Sequence, residues 1–322
     1  MSIEGEPPAV AALIATMDRP TFVRDAIASV CEQTYAEMEV IVVDASTDTQ
    51  TERIVDEFAS NNPELEWRYI HNETPQGLPA ARNRAAAATD ANFLSFLDDD
   101  DQWRPEKVAK QVALLRENEK LGLVHTGYEG RDERGRVVSS HSPEYDTFSL
   151  TDILGWNTIM TPSTVMVRRE PFERVDGFDE ELHYCADWDF YIRMAQECQF
   201  DCLPETLVDR AYHEGSMMND LDQFFEFRER VIQKHEGTLQ SRGMAEEVWK
   251  RHYRKTAESY LQAGRRTAAK KTYRASLSRK FDLRTAVAYL FCTTFPTTYV
   301  LPMLRRTSNI EGRIRTHERD QA

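Results

Sequence analysis

Flexible linker sequence is missing from this chain of 322 residues, which has no Gly-rich, Ser-rich or Pro-rich stretch of any length. Two domains joined by a mobile tether are therefore not expected. The N-terminus also lacks a basic segment followed by an apolar run, so we expect no secretory signal.

Paired cysteines are missing as well. The five cysteines are an odd number, and no second pair or nearby His cluster completes a zinc site around Cys198 and Cys202. We interpret them as buried thiols in a reducing compartment. With no secretory signal, this predicts a cytoplasmic protein or one on the cytosolic side of a membrane.

The composition is that of a globular protein, but the charge is unevenly placed. At 41% hydrophobic and 10% aromatic residues, neither disorder nor a fibrous repeat is indicated. Acidic residues exceed basic ones by 25 in residues 1–240, and basic residues exceed acidic ones by 11 in residues 241–322, giving the net charge of −14. We predict a main domain over 1–240 and a basic extension over 241–322, whose end would meet any anionic surface.

Apolar runs alternate with helical patterns over the first hundred residues. Strands are predicted at 10–15, 38–43, 65–70 and 93–97, with helices at 22–34, 51–60 and 78–88 between them. This alternation is typical of an α/β fold with a mostly parallel, Rossmann-like sheet and flanking helices. Ligands bind beyond the carboxyl ends of such strands, where Thr16, Asp44 and Asp98 stand.

The second half of the chain is less regular until it becomes helical. A strand is predicted at 163–167, a turn at 175–181 and a helix at 188–196. Helices at 245–263 and 265–278 meet at Gly264, a residue suited to end a helix.

An uncharged segment follows at 285–304, with basic residues on both sides. It is long enough to span a bilayer, but its Thr and Pro residues make it only moderately apolar. Three interpretations stay open: it lies at a membrane interface, packs on the protein, or spans the membrane.

Four consecutive aspartates, Asp98 to Asp101, end the fourth predicted strand. A helix N-cap explains one of them, such as Asp101, but not all four, because like charges this close repel. A divalent cation relieves this repulsion, and carboxylate oxygens suit Mg²⁺ or Mn²⁺. The run therefore predicts a metal–diphosphate site.

Four blocks of the sequence resemble those of family 2 glycosyltransferases, which have the GT-A fold. In chain order the blocks are VAALIATMDRP, VIVVDASTDTQT, GLPAARNRAAAATDANFLSFLDDDDQWRPEKV and VDGFDEEL with ADWDFYIRM. They extend over about residues 9–215. The resemblance implies a metal-dependent, inverting glycosyltransferase of the hexosyltransferase type. The helical pattern of residues 241–322 predicts a helical C-terminal extension after the GT-A domain.

The resemblance also implies roles for single residues. Asp187 matches the catalytic base, which takes a proton from the acceptor hydroxyl. Asp100 and His213 are the expected contacts to Mg²⁺ or Mn²⁺, of which His213 is also open to the interpretation of a packed or surface histidine. The residues expected to bind the nucleotide sugar are Thr16, Asp44, Arg82, Asp98 and Asp99.

Several positions depart from the family pattern. Ala15 replaces a proline, Met17-Asp18 replaces Tyr-Asn, and Ala45 replaces a small polar or acidic residue after Asp44. Ala186 stands where an acidic residue often precedes the base. These substitutions change residues beside the predicted site. They leave every residue with a proposed catalytic, metal-binding or nucleotide-binding role in place. For Asp187 itself, a helix N-cap is the alternative interpretation.

Two alternative functions stay open. A sugar nucleotidyltransferase has a related sheet and acidic metal site, but its first loop is Gly-rich, whereas TMDRPTF has no glycine. A non-catalytic scaffold would have no need of both Asp100 and Asp187.

The resemblance and the charge pattern together imply the partners. We expect a UDP- or GDP-linked sugar donor and a glycan or polyprenyl- or dolichyl-phosphate-linked acceptor, as in a prokaryotic enzyme of lipid-linked or cell-surface glycans. We also expect contact with an anionic membrane surface through residues 279–306, on the cytoplasmic face of the cell membrane. No nucleic-acid partner is expected.

Overall fold

A computed structural model of the chain describes residues 9–143, 149–213, 220–279 and 282–294. The chain forms two compact units, residues 1–219 and 220–322. The division at residue 240, which the change of charge predicts, lies within a helix of the second unit.

The first half of the first unit is a parallel sheet. Its strands are β1 (Val10–Thr16), β2 (Met38–Asp44), β3 (Glu66–His71) and β4 (Phe93–Asp98), in the order β3-β2-β1-β4. The helices between them are α1 (Pro20–Cys31), α2 (Gln50–Asn61) and α3 (Leu78–Ala87). Strands β1 and β2 are buried almost throughout, as expected for parallel strands covered on both faces. The predicted α/β alternation is confirmed, with each element ending within three residues of its predicted limit.

The sheet continues with strands of mixed direction. The additional strands are β5 (Gln102–Trp103), β6 (Leu121–Asp132), β7 (Val137–His141), β8 (Met166–Arg168) and β9 (Gln199–Tyr212). Strand β8 is antiparallel to β4 and β6, while β9 is parallel to β6 and antiparallel to β5. The predicted strand at 163–167 is wrong at its start, since Pro162–Thr164 forms a 3₁₀ turn and the strand begins at Met166.

Two helices of this unit, α4 and α7, correct the cap interpretations. Helix α4 (Lys107–Glu117) has Glu106 as its N-cap, so Asp101 is not a cap. Helix α7 (Ala186–Glu197) has Cys185 as its N-cap, so the cap interpretation of Asp187 is also wrong. Two short helices, α5 (Leu150–Gly155) and α6 (Arg169–Arg174), precede α7.

The second unit consists of helices in the part that the structure describes. They are α8 (Leu221–Lys234), α9 (Glu236–Ser241), α10 (Ala245–Gln262), α11 (Arg266–Arg279) and α12 (Leu283–Thr294). Gly264 ends α10 with a φ of +73°, and the amide of Arg265 donates to the carbonyl of Tyr260 at 2.7 Å. The predicted turn at Gly264 is therefore confirmed.

Helix α12 covers the first part of the predicted uncharged segment. Ala288 and Cys292 are buried within the unit, whereas Leu283 and Leu290 are 69% and 57% exposed. Residues 295–304 lie outside the described residues. Over the described ranges, no helix combines the length and the apolar character needed to cross a membrane. All five cysteines are free, and only Cys202 and Cys292 are fully buried.

Two of the family-like blocks meet where Asn83 of α3 holds the loop after α6. The Asn83 amide donates to the carbonyl of Phe178 at 2.8 Å and accepts from its amide at 2.9 Å. Asp176 and Gly177 both have left-handed backbone, with φ of 59° and 58°. A Cβ on Gly177 would lie 2.5 Å from Oδ1 of Asn83, so glycine is needed for both its conformation and the close contact.

We expect Gly177→Ala to lower the thermal stability more than Gly135→Ala. Gly135 has a similar φ of +73°, but a Cβ there meets no atom within 4 Å, so it controls for backbone strain alone. The contact with Asn83 should add about 1–3 kcal/mol of destabilisation. Thermal unfolding of both variants measures the difference, and equal losses would mean that the Asn83 contact adds nothing.

Candidate active site

The carboxyl ends of three parallel strands bring polar residues to one edge of the sheet. In the strand register Thr16 pairs with Asp44, and Ala15 pairs with Asp98. The three predicted residues Thr16, Asp44 and Asp98 therefore end adjacent strands. The predicted convergence at one sheet edge is confirmed.

Asp44 is fully buried, and both of its oxygens are hydrogen-bonded. Oδ1 accepts from the amide of Ser46 at 2.9 Å and from its hydroxyl, and Oδ2 accepts from the hydroxyl of Tyr69 at 2.9 Å. The Ser46 hydroxyl in turn accepts from the amide of Asp18 at 2.8 Å. In this structure Asp44 thus shapes the two loops after β1 and β2, and its contact with a nucleotide stays a prediction.

Asp98 forms a partly buried ion pair with Arg82 of α3. The guanidinium contacts Oδ1 of Asp98 and lies 5.4 Å from the ring centre of Phe178, and Arg82 is only 7% exposed. The amide of Asp98 donates to the hydroxyl of Ser163 at 3.1 Å. The two predicted nucleotide-sugar residues Arg82 and Asp98 therefore lie side by side.

Asp99 and Asp100 share the guanidinium of Arg19, which follows β1. Nη1 of Arg19 lies 3.0 Å from Asp99 and 3.2 Å from Asp100, and the hydroxyl of Thr16 donates to Asp99 at 2.7 Å. Burial raises the pKa of Asp99 to about 6, against the opposing hydrogen bond from Thr16 and charge of Arg19. Arg19 thus neutralises part of the acidic run in the absence of a bound cation.

Asp101 is buried and contacts β9. It accepts from the amide of Ala211 in β9 at 3.1 Å, and its second oxygen lies 3.2 Å from the hydroxyl of Thr161. Burial, with the charges of Asp98 and Asp100, raises the pKa of Asp101. Asp101 therefore connects the acidic turn to the strand that carries the next site residue.

His213 follows β9 and reaches the acidic turn. Its Nε2 lies 2.9 Å from Oδ2 of Asp100, and its ring stacks on Phe22 of α1 with centroids 4.9 Å apart. The structure thus brings together the two residues predicted to contact a metal.

The donor set around Asp100 and His213 fits an ion that is only partly held by protein. Over the described ranges, no three His, Cys, Asp or Glu side chains are placed to hold a metal together. Mg²⁺ commonly takes one or two carboxylates and completes its shell with water and phosphate oxygens. One carboxylate and one imidazole at 2.9 Å are compatible with such an ion. Their role as ligands stays a prediction.

Asp187 lies in the first turn of α7 and is partly accessible. Its Oδ2 accepts from Nδ2 of Asn157 at 3.0 Å. Burial raises the pKa of Asp187, while the charge of Arg82 opposes this and that of Asp98 adds to it. Asp187, Arg82 and Asp98 therefore form one charged cluster, although α7 follows β4 by almost ninety residues.

Four site residues were not identified from the sequence: Arg19, Tyr69, Asn157 and Thr161. Arg19 stands inside the first family-like block, but its contact with the aspartates depends on the loop after β1. The other three follow from tertiary contacts that no local pattern indicates.

The matching family model decides the classification. The model described as glycosyl transferase family 2 matches residues 12–176, just over half of the chain. The chain belongs to glycosyltransferase family 2. This membership favours glycosyl transfer over the alternatives of nucleotidyl transfer and a non-catalytic scaffold.

Relatives and solved structures agree with the family. An uncharacterised glycosyltransferase of Methanocaldococcus jannaschii is 26% identical over 64% of this chain and 71% of its own length. Two further relatives are matched over only 62% and 63% of their length.

Two structures of similar fold are TarS residues 1–349 of Staphylococcus aureus with UDP-GlcNAc and a mannosyltransferase of Pyrobaculum calidifontis with GDP-Man and Mn²⁺. Both are 18% identical to this chain and cover 92% of it. For TarS, 92% of its chain is matched with a TM-score of 0.64. For the mannosyltransferase, 84% of its chain is matched with a TM-score of 0.60. The predicted GT-A fold with C-terminal helices is confirmed.

We expect Arg19→Met to bind Mn²⁺ more tightly than the unaltered protein when no donor is present. The guanidinium competes with a cation for Asp99 and Asp100, and removing one charge at this distance corresponds to roughly a tenfold change in affinity. Arg24→Met is the matched control, because Arg24 pairs with the exposed Glu57. Mn²⁺ titration followed by electron paramagnetic resonance measures the affinities. Unchanged or weaker binding would show that Arg19 holds Asp100 in place and does not compete.

Proposed function

We propose that this protein transfers a sugar, with inversion, from a UDP- or GDP-linked donor to an acceptor hydroxyl, and that Mg²⁺ or Mn²⁺ assists. One observation carries the proposal: Arg82 pairs with Asp98 at the end of β4, and its charge opposes the effect of burial that raises the pKa of Asp187 on α7. The proposed donor side and the proposed base are thereby held in one cluster.

The proposed chemistry uses Asp187 as general base. The acceptor oxygen attacks the anomeric carbon, its proton passes to the Asp187 carboxylate, and the bond between the sugar and the diphosphate breaks. Burial makes the ionised Asp187 a stronger base, and Asn157 fixes the direction of its carboxylate at 3.0 Å. Arg82 and Arg19 place positive charge beside the donor side of the site. A divalent cation held by Asp100 and His213 would neutralise charge on the departing diphosphate.

The donor class rests on the site and on similar structures. Nucleotides bind at the carboxyl ends of the strands in α/β sheets. The residues proposed to bind the donor lie at or next to those ends of β1, β2 and β4; they are Thr16, Asp44, Arg82, Asp98 and Asp99. The two structures described above hold UDP-GlcNAc and GDP-Man.

We also propose that the C-terminal extension contacts an anionic membrane on the cytoplasmic face, where a lipid-linked glycan would be the acceptor. Helix α11 presents exposed basic residues such as Lys271 and Arg274, and α12 exposes Leu283 and Leu290. Basic residues beside exposed apolar side chains are typical of interfacial segments. The rest of the proposed contact, to residue 306, lies outside the described residues.

We expect Asp187→Asn to abolish sugar transfer while leaving donor affinity nearly unchanged. The amide keeps the shape of the side chain but cannot accept the proton, so kcat should fall by roughly 100-fold or more. Release of UDP or GDP from a panel of nucleotide sugars, with Mn²⁺ and with acceptor, measures the rate. Asp25→Asn, an exposed change on α1, is the control. Loss of donor binding would mean that Asp187 is not the base, and pyrophosphate release from nucleoside triphosphates would support nucleotidyl transfer.

We expect the double variant Leu283→Ser with Leu290→Ser to lose binding to anionic lipid vesicles. Two leucines removed from an interfacial contact should weaken binding by roughly tenfold or more. The control is Val138→Ser, because Val138 is 54% exposed in the other unit. Sedimentation with vesicles containing phosphatidylglycerol measures binding. Binding equal to that of the unaltered protein would remove the membrane contact from α12.

A further inference from the structure

A buried tyrosine hydroxyl lies beneath the proposed catalytic base. Tyr191 of α7 is 1% exposed, and its hydroxyl has no hydrogen-bond partner among the residues that the structure describes. Hydroxyl groups buried in proteins nearly always have a partner, because an unpaired one loses its bond to water without replacement. The described residues thus leave the hydroxyl of Tyr191 free to donate a hydrogen bond.

The helix places Tyr191 on the same face as Asp187. The two residues are four apart in α7, so they lie one turn apart. Side chains of a helix point toward its N-terminus, and the long tyrosine ring thus extends toward the turn that carries Asp187.

The surrounding charges restrict what the hydroxyl can do. Burial raises the pKa of Tyr191 well above its usual value, and the neighbouring carboxylates of Asp187 and Asp98 raise it further against the opposing charge of Arg82. The hydroxyl therefore keeps its proton and serves as a donor toward carboxylates.

Asp187 has room for a further hydrogen bond. Its Oδ2 accepts from Asn157, and a carboxylate offers about four lone-pair positions in all. Asp98 is already paired with Arg82. Of the two carboxylates that act on Tyr191, Asp98 and Asp187, only Asp187 has no ion pair with a guanidinium in the described part of the chain.

We propose that the Tyr191 hydroxyl donates a hydrogen bond to the Asp187 carboxylate, directly or through one water, when substrates occupy the site. Tyr191 would then be a positioning residue that keeps the base ionised and aimed. This inference rests on the proposed function of Asp187. The charged groups that act on Asp187 from neighbouring elements are Arg82 of α3 and Asp98 of β4.

The test is the pH profile of kcat for Tyr191→Phe at saturating donor. A lost hydrogen bond to the ionised form raises the pKa of the base, so the acidic limb should move to higher pH and kcat at neutral pH should fall roughly tenfold. The donor KM should stay within about twofold, because Tyr191 acts on the base. The melting temperature of the unliganded variant should equal or exceed that of the unaltered protein, since no bond is lost there. Tyr273→Phe, another fully buried tyrosine, is the control in the second unit.

Two outcomes would overturn the inference. An unchanged pH profile with unchanged kcat would show that Tyr191 only fills space, and a raised donor KM without a pH shift would show that it serves the donor side. Asp187→Asn is assayed in parallel: if it retains activity, the proposed base is wrong, whatever Tyr191→Phe does. If it is inactive and the Tyr191→Phe profile is unchanged, only the role of Tyr191 fails.

Discussion

The ion pair of buried Arg82 with partly exposed Asp98 is the interaction on which the site depends. A guanidinium that is 7% exposed is costly unless a carboxylate meets it, and Asp98 at the end of β4 provides that carboxylate. Because the charge of Arg82 also acts on Asp187, the pair joins the sheet edge to α7. The ring of Phe178, which Asn83 holds through its loop, supports the guanidinium from the other side. One side chain, that of Arg82, thus acts on two carboxylates of the candidate site, Asp98 and Asp187.

The four aspartates coexist because each has a different environment. Asp98 meets Arg82, Asp99 and Asp100 share Arg19, and Asp101 is buried against β9. Burial favours the protonated form of an unpaired carboxyl, and the raised pKa of Asp101 shows this effect. The run therefore carries less net charge than four ionised groups would. Asp100 contacts both Arg19 and His213, and its role as a metal ligand stays a prediction.

The parallel half of the fold could be predicted because its strands are buried on both faces. Their apolar runs are continuous, so β1, β2 and β4 stand out from the sequence. Strand β9 could not be identified, since it mixes exposed and buried residues and its pairing with β6 shifts register several times. Motif blocks identified Asp44, Asp98 and Asp187, but the contacts of Asn157 and Tyr69 depend on segments distant in sequence. A helix N-cap explains one of the four aspartates, such as Asp101, from the sequence, yet α4 begins only at Lys107.

The position of Asp187 balances two opposing effects on its basicity. The N-terminus of a helix stabilises a carboxylate in its first turn by about 0.3–1 kcal/mol, which lowers the pKa. Burial acts in the opposite direction and prevails, since the pKa of Asp187 is raised. Cys185 begins α7 with a left-handed φ of 58°, so the chain turns sharply and Asp187 reaches the cluster from the first turn. A carboxyl at a strand end, such as Asp98, has its charge taken up by Arg82. Asp187, at the start of α7, lies outside that ion pair. Its carboxylate is therefore available to accept a proton.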